Sequence, residues 1–316
     1  MVQRYPQAPQ YPPISLLAHK NNLDDALGRL SYLSKLLTES KLVRVNSFEE
    51  RTVMKRPLLL RLVPDGIKER LFYRIYNRRQ HRYEPLFRKA DLAFSKGASL
   101  YNLIPGDVIS GNIAFNGFYE LSLTRKICEL AQNGGLFVDV GANIGYFSIL
   151  WASTNERARA ICFEASPRNV GLLESNVKQN SLSDRISLIA KAAGKDNGTI
   201  KFDVGPSAQT GWGGIANEKS TTSITVPMTR LDCEITDETI DVLKIDVEGA
   251  DTWVLLGCEK LLRERRIKKI FFEQNAYRMN LLGIRSGEAQ TYLRDHGYDC
   301  EQLNSDSEEW VAKPSN

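Results

Sequence analysis

The chain has 316 residues, and 42% of them are apolar, which is enough for a large buried core in an enzyme-sized protein. Its five cysteines stand singly without a C-x-x-C pair, which argues against a disulfide framework and against a zinc site. The formal charge of +4 is mild, no signal peptide is recognisable, and no segment approaches the roughly 18 apolar residues of a membrane span. We therefore expect a cytoplasmic protein without a transmembrane segment.

The N-terminal third of the chain carries no recognisable motif. Prolines at positions 6, 9, 12 and 13 predict a disordered arm over residues 1–15. Residues 16–110 are predicted to be a mostly helical extension, and leucines at helical spacing from Leu23 to Leu37 form its first apolar stripe. Such a stripe packs against its own domain or against a second copy in a homodimer.

Positive charge is concentrated between Arg51 and Lys96, where thirteen Lys or Arg residues face four acids. The mixture of basic and aromatic residues from position 66 to 96 is one that nucleic-acid-binding segments share. The same pattern is also typical of an amphipathic helix with a solvated basic face. We favour the helix and do not expect a nucleic-acid partner.

From Leu136 onward, short apolar runs alternate with helical stretches, as expected for β-α units that feed a mainly parallel sheet. Residues 111–316 are predicted to form this α/β domain. An insertion from Gly198 to Thr229 should carry further strands around a mobile, glycine-rich loop that contains Trp212. The predicted strands are "LFVDV", "ARAICFE", "RISLIA", "IDVLKID", "IKKIFFE" and a terminal hairpin of "GYDCEQL" and "EEWVAKP"; the predicted helices are "YFSILWAST", "PRNVGLLESNVKQN" and "WVLLGCEKLLRER".

The turn after the first of these strands predicts a ligand site. Gly141 and Gly145 open a helix, where a ligand can approach the backbone near the positive end of the helix dipole. The spacing is G-x-x-x-G rather than the G-x-G-x-x-G of dinucleotide sites, and the nearby Asp139 would repel a pyrophosphate. A cationic, phosphate-free ligand such as S-adenosylmethionine suits this acid better. Glu164, at the end of the second strand, is placed to accept hydrogen bonds from ribose hydroxyls.

Five motifs then occur in an order that resembles the FkbM family of S-adenosylmethionine-dependent methyltransferases: "FVDVGANIGYFS", "FEASPRNVGLLESN", "VPMTRLD", "DVLKIDVEGADTWVLLG" and "FFE". The resemblance implies a Rossmann-like, seven-stranded class I methyltransferase sheet whose last strand is antiparallel, preceded here by an N-terminal helical extension. It also implies O-methylation of a small-molecule or glycan acceptor. In this sequence Ala165 stands where the family motif usually has proline. The cofactor-binding residues that the resemblance and the turn together indicate are Glu120, Asp139, Gly141, Ala142, Asn143, Gly145, Tyr146, Glu164, Ala165, Ala192 and Asp246.

Candidate catalytic groups follow the fourth and fifth strands. Asp246 and Glu248 alternate along the extended end of the fourth strand, and Glu273 ends the fifth, so the three carboxylates should meet where α/β sheets bind ligands. One of them would take the proton of an attacking hydroxyl. A helix-capping role, binding of the cofactor's methionine end, and a Mg²⁺ site are the alternatives, of which Mg²⁺ is not favoured. Lys244 is expected to pair with one of these acids.

Two other functions remain open at this point. A nucleic-acid methyltransferase is favoured only by the basic segment, since neither an N-P-P-Y loop nor a Pro-Cys nucleophile is present. A non-catalytic module that binds an adenosyl cofactor would keep the fold without the reaction. A nicotinamide-dependent dehydrogenase ranks below both, because the turn lacks the third glycine.

Overall fold

A computed structural model of the chain describes residues 55–217, 220, 222–304 and 307–315. The predicted disordered arm, the leucine stripe from Leu23 to Leu37 and the homodimer contact through it lie outside the described residues. The boundary between the extension and the α/β domain at residue 110 stays a prediction. No helix within the described ranges is long and apolar enough to cross a membrane.

The described part of the extension is a run of short helices followed by a strand pair. Its elements are α1 (Leu58–Leu62), α2 (Asp65–Leu71), a π-helical turn (Phe72–Tyr76), a 3₁₀ helix (Asn77–Tyr83), α3 (Glu84–Arg88), and the antiparallel strands β1 (Lys89–Asp91) and β2 (Ser99–Tyr101). The basic segment is helical from Asp65 to Arg88, but in four short elements rather than one amphipathic helix, and the strand pair was not predicted.

Helix α4 (Val108–Asn116) joins this extension to the α/β domain. The side chain of Asp107 caps its first turn by accepting the N–H of Ser110 at 2.8 Å, and Gly117 ends it in the left-handed conformation. The ring of Phe115 on α4 packs against the aromatic rings of the helical run: Phe72, Tyr76, Tyr83 and Phe87.

The remaining elements form two sheets and the helices that cover them. In chain order the strands are β3 (Gly135–Val140), β4 (Ala158–Phe163), β5 (Ile186–Ile189), β6 (Ala192–Ala193), β7 (Gly198–Asp203), β8 (Gly214–Ile215), β9 (Ser223–Thr229), β10 (Val242–Ile245), β11 (Ile270–Glu273), β12 (Tyr298–Gln302) and β13 (Glu309–Pro314). The helices are α5 (Leu121–Ala131), α6 (Tyr146–Thr154), α7 (Pro167–Gln179), α8 (Leu231–Glu234), α9 (Asp251–Leu256), α10 (Glu259–Arg263), α11 (Ala276–Leu281) and α12 (Glu288–Asp295).

The large sheet has seven strands in the order β12-β13-β11-β10-β3-β4-β5. Strands β3, β4, β5, β10 and β11 pair in parallel, and β13 is antiparallel to both of its neighbours. This is the class I methyltransferase sheet, so the predicted fold class is confirmed, including the antiparallel last strand. Parallel pairing brings the C-terminal ends of β3, β4, β10 and β11 to one edge of the sheet.

The insertion and the short strand β6 just before it form a second sheet in the order β6-β9-β7-β8. Strands β7 and β9 pair antiparallel from Gly198 with Met228 to Asp203 with Ser223, which confirms the predicted strands of the insertion. We call residues 205–213, which connect β7 and β8, the roof loop.

One predicted helix is wrong in extent. The segment "WVLLGCEKLLRER" was predicted as a single helix, but it divides into α9 and α10 around Gly257. The carbonyl oxygen of Gly194 approaches Gly257 so closely that a Cβ there would clash with it. The glycine therefore marks a close chain crossing at which the helix breaks.

Candidate active site

A cavity of about 240 Å³ opens at the C-terminal edge of the large sheet. It lies between the ends of β3, β4, β10 and β11, the first turn of α4 and the roof loop. Eleven of the predicted site residues line it: Glu120, Gly141, Ala142, Asn143, Tyr146, Glu164, Ala165, Ala192, Asp246, Glu248 and Glu273. Asp139 and Gly145 are not among the lining residues.

The two glycines of the turn are required by the chain's own packing. Gly141 has φ +78°, and a Cβ on it would clash with the carbonyl oxygen of Asp246, where β10 ends beside β3. Gly145 has φ +86°, and a Cβ on it would lie 3.2 Å from Cγ of Leu173 on α7. Positive φ and close neighbouring protein atoms therefore explain both glycines without a ligand.

Asp139 is fully buried beneath the cavity, with its charge neutralised by protein groups. Its Oδ2 accepts the hydroxyl hydrogen of Ser148 at 2.6 Å, and its Oδ1 lies 3.7 Å from Nζ of Lys244. Burial raises the pKa of Asp139, and Lys244 opposes that rise. The structure thus places this acid next to Lys244 and not at the cavity surface.

Lys244 pairs with Asp246, one of the expected acids, and also lies beside Asp139. Its Nζ donates to Oδ2 of Asp246 at 3.2 Å on the side opposite to Asp139. Burial alone lowers the pKa of Lys244, but Asp246 and Asp139 outweigh this effect and hold the pKa above its ordinary value. The ammonium therefore stays charged and fixes the position of Asp246.

Glu164 has the geometry of a hydroxyl acceptor at one end of the cavity. It is only 6% exposed, its Oε2 accepts the N–H of Asn143 at 2.7 Å, and its Oε1 accepts the N–H of Ser166 at 2.8 Å. Each carboxylate oxygen keeps a further lone pair. Burial raises the pKa of Glu164 to about 7, against the lowering effect of these two hydrogen bonds.

Four acids, which we call the carboxylate cluster, line the other end of the cavity: Glu120, Asp246, Glu248 and Glu273. Burial, followed by the charge of Asp246, raises the pKa of Glu273 to about 10, that of Glu120 to about 8 and that of Glu248 to about 7. Arg278 opposes the rise at Glu248, since its Nε lies 3.3 Å from Oε2 of that residue. The cluster therefore favours a cationic ligand.

Asp251 supports the cluster and was not predicted as a site residue. It is 1% exposed, its Oδ1 accepts the N–H of Glu273 at 2.8 Å, and its Oδ2 accepts the N–H of Val247 at 3.4 Å. One carboxylate thus holds the ends of β10 and β11 together. The available signal was an acid in the first turn of a helix directly after "KIDVEGA".

The roof loop is attached to α4 through Asp107 and the backbone beside it. Asp107 accepts the N–H of Thr210 at 2.9 Å and its hydroxyl at 3.1 Å. The side chain of Gln209 accepts the N–H of Val108 at 3.2 Å and donates to the carbonyl of Gly106 at 2.9 Å. Trp212 in this loop lines the cavity, as do Asn143 and Glu248.

The first turn of α7 holds the roof loop from the other side. The guanidinium of Arg168 donates to the carbonyls of Pro206 at 3.1 Å, Ser207 at 2.9 Å and Gln209 at 2.7 Å. The amide of Asn169 donates to the carbonyl of Thr210 at 2.9 Å. Because α7 starts three residues after Glu164, the same segment positions the hydroxyl acceptor and the roof.

The sequence pattern of the methyltransferase FkbM domain matches residues 139–300, which run from β3 to β12. The chain belongs to the FkbM methyltransferase family. The predicted resemblance is thereby confirmed. Glu120, α4 and the basic helical run precede the matched region. No curated protein matches this chain.

Solved structures with a similar fold include methyltransferase FkbM from Methylobacillus flagellatus KT, at 15% identity and a TM-score of 0.41 over 64% of this chain and 52% of that chain. The chain thus spans about half of that protein's length. A putative caffeoyl-CoA O-methyltransferase from Staphylococcus aureus has 16% identity and a TM-score of 0.38, covering 63% of this chain and 85% of the other. TrmK from M. capricolum, in complex with S-adenosylhomocysteine, has 13% identity and a TM-score of 0.38 over 61% and 70%. These values are too low to bring any of their substrates to this chain.

Within the ranges that the structure describes, no group of three or more His, Cys, Asp or Glu side chains has the arrangement of a metal site.

Proposed function

We propose that this FkbM methyltransferase uses S-adenosylmethionine to methylate a hydroxyl group on a sugar or a natural-product small molecule. The observation that carries the proposal is that one cavity contains a hydroxyl acceptor, Glu164, at one end and the carboxylate cluster at the other. The proposed cytoplasmic location and the proposed small-molecule or glycan partner belong to the same hypothesis.

The residues of the cavity fit the adenosyl cofactor. Glu164 keeps free lone pairs for two ribose hydroxyls, and Oδ1 of Asn143 beside it is buried without a partner among the described residues. Ala165 and Ala192 leave room along the same wall for the adenine. Glu120 and Asp246 face the cavity where a cationic methionine end would lie. When bound, the cofactor would supply an electrophilic methyl group on a positively charged sulfur.

The carboxylate cluster supplies a base for the acceptor hydroxyl. A carboxylate oxygen of Asp246, Glu248 or Glu273 would take the hydroxyl proton as the acceptor oxygen takes the methyl group that the cofactor would supply. An aliphatic hydroxyl is too weak an acid to ionise beforehand, so the base acts while the bond forms. Positive charge in the cavity favours the ionised carboxylates, which offsets their burial.

The charge of the cavity also supports a small acceptor over a nucleic acid. Lys244 and Arg278, the cations beside the cluster, are each paired with one of its acids or with Asp139. A phosphate backbone entering this end would meet carboxylates rather than free cations. A neutral sugar or polyol meets no such repulsion.

The test is a methylation screen with isotopically labelled cofactor over glycans, small metabolites, lipid-linked sugars and RNA, with the product identified by mass. Asp246→Asn, Glu248→Gln and Glu273→Gln keep the shape and remove the charge. At least one should lower turnover by about 10²–10⁴ while cofactor binding survives. Glu301→Gln, an exposed acid on β12, is the matched control.

Four outcomes would change the proposal. Labelled RNA would make the protein a nucleic-acid methyltransferase. Cofactor binding without any labelled product in the screen would favour a binding module. Near wild-type turnover in all three variants would exclude the carboxylate base. Activity that a chelator abolishes and Mg²⁺ restores would make the acids metal ligands.

A further inference from the structure

The helical run that ends at Tyr83 has a buried inner side and a basic outer side. Phe72, Tyr76 and Gln80 recur every four residues and are buried. Arg74, Arg78 and Arg82 lie midway between them and are exposed. Alternation at this spacing places the arginines on the side that faces away from the core.

The arginines of this outer side have no acidic partner among the described residues. Two neighbouring cations, by contrast, do form ion pairs: Lys68 pairs with Asp65 at 2.8 Å, and Arg88 pairs with Glu84 at 3.1 Å. Six exposed arginines between positions 61 and 82 make no ion pair with any acid of the described chain: Arg61, Arg70, Arg74, Arg78, Arg79 and Arg82. Their charge is therefore available to an anionic partner.

The same segment exposes large apolar side chains. Leu58 is 47% exposed, Leu62 is 74% exposed and Tyr73 is 48% exposed. In the described chain only two other large apolar residues, Val108 and Tyr277, are comparably exposed. Arginines interspersed with protruding leucine and tyrosine are typical of helices that lie in the interface of an anionic membrane.

The inner side of this helical run packs against α4, whose first turn lines the cavity. The rings of Phe72 and Tyr76 lie 5.2 and 5.4 Å from the ring of Phe115 on α4. The hydroxyl of Tyr73 accepts a hydrogen bond from the amide of Asn112, also on α4, at 2.9 Å. The segment that carries the outer side is thus attached to the helix that begins at the cavity with Val108.

We propose that the segment from Leu58 to Arg82 binds the surface of an anionic phospholipid bilayer. The arginines meet the phosphate groups, and Leu58 and Leu62 insert among the acyl chains. RNA would satisfy the arginines equally well, but it would leave the two leucines without a partner. The proposal concerns attachment and does not depend on the identity of the methyl acceptor.

The test is flotation of the full chain with vesicles of phosphatidylcholine and of an equimolar mixture with phosphatidylglycerol. Binding should require phosphatidylglycerol. Each basic residue near an anionic surface contributes about 1 kcal/mol to binding, which changes the partition coefficient about fivefold. The triple variant Arg74→Ala/Arg78→Ala/Arg82→Ala should therefore bind the vesicles about a hundredfold more weakly than the wild type. The matched control is Arg263→Ala/Arg285→Ala/Arg294→Ala, which removes three exposed arginines elsewhere and should bind like the wild type.

A second variant separates a bilayer from RNA. Leu58→Ser/Leu62→Ser keeps every charge and should weaken vesicle binding several-fold, more clearly at high salt, where the apolar contribution dominates. The proposal is overturned if the wild type does not float with the vesicles, or if the two arginine triple variants bind the vesicles alike. It is also overturned if the wild type binds polyuridylate, only the variant without the outer-side arginines loses that binding, and the leucine variant retains full vesicle binding. Flotation needs no methyl acceptor, so its failure is distinct from failure of the proposed reaction.

Discussion

Replacement of Glu164 should affect the stability of the protein and its affinity for the cofactor to different extents. Its two carboxylate oxygens accept the N–H groups of Asn143 and Ser166, and the side chain is almost fully buried. A hydrogen bond to a charged group contributes about 1.5–3 kcal/mol. Glu164→Ala removes both acceptors and should lower the free energy of unfolding by about 3–6 kcal/mol.

Glu164→Gln is therefore the better variant for a binding measurement. It keeps one carbonyl oxygen and should cost about half as much stability as the alanine variant. Its amide nitrogen can no longer accept a ribose hydroxyl, which should weaken binding of S-adenosylhomocysteine by about 1–3 kcal/mol, or about 5- to 150-fold. Calorimetry should be performed well above the pKa of about 7, where the wild-type carboxylate is ionised.

A matched control is present on the following helix. Glu174 on α7 is exposed, so Glu174→Gln makes the same chemical change without altering a buried hydrogen bond. It should leave both denaturation and binding as in the wild type. If Glu164→Gln binds S-adenosylhomocysteine as tightly as Glu174→Gln does, Glu164 does not contact the ribose and the assignment of this end of the cavity is wrong.

Four further predictions follow from the described contacts. Gly141→Ala should lower the free energy of unfolding by about 3–5 kcal/mol or prevent folding, whereas Gly171→Ala, with open space around its Cα, should be neutral or stabilising in the same denaturation assay. Asp251→Ala should lower the free energy of unfolding by about 1–3 kcal/mol and also lower turnover, because the N–H of Glu273 loses its acceptor. Asp251→Asn retains a carbonyl oxygen and should therefore keep most of the stability and most of the turnover. Arg168→Ala removes three hydrogen bonds to the roof loop and should speed hydrogen exchange of residues 205–213 about tenfold, whereas Lys178→Ala on the same helix should not. The raised pKa values of Glu120, Glu164, Glu248 and Glu273 mean that the folded chain binds these protons more tightly than the unfolded chain does. Their contribution to stability is fully present below about pH 4.5 and is lost as the pH rises through about 7 to 10. In urea denaturation of the ligand-free protein, the free energy of unfolding should therefore fall over this pH range, and Glu273→Gln should make that fall smaller.

The parallel sheet was predictable because its strands are short buried runs separated by clear helix signals. Strand β3 and helix α6 lie within one residue of the predicted bounds, and the terminal hairpin is confirmed. Glu164 and Glu273 were predicted as site residues from one rule, that side chains at the ends of parallel strands meet at the same edge. Local pattern and topology agree here, so sequence was sufficient.

The remaining features depend on contacts between distant segments. Gly257 appears tolerable inside a helix, and only the approach of Gly194 explains why the helix divides there. Asp107 and Thr210 are 103 residues apart, so no local pattern links the cap of α4 to the roof loop. Asp251 looks like an ordinary acid in the first turn of a helix until β11 is placed beside it.

The cavity also contains backbone conformations with positive φ that a sequence pattern does not predict. Six described residues other than glycine have positive φ, and three of them line the cavity: Glu120 at 45°, Asn143 at 52° and Glu248 at 56°. Such conformations cost about 1–3 kcal/mol each and persist only where the surrounding structure enforces them. At Glu248 two contacts stabilise this conformation. The carboxylate of Asp251 accepts the N–H of the preceding residue, Val247, and the guanidinium of Arg278 pairs with the carboxylate of Glu248. A glycine at this position would relieve the strain but would remove the charge from the cavity. The strained conformation therefore places a carboxylate beside Asp246 before any ligand binds, and the fold rather than the ligand provides the energy for that arrangement.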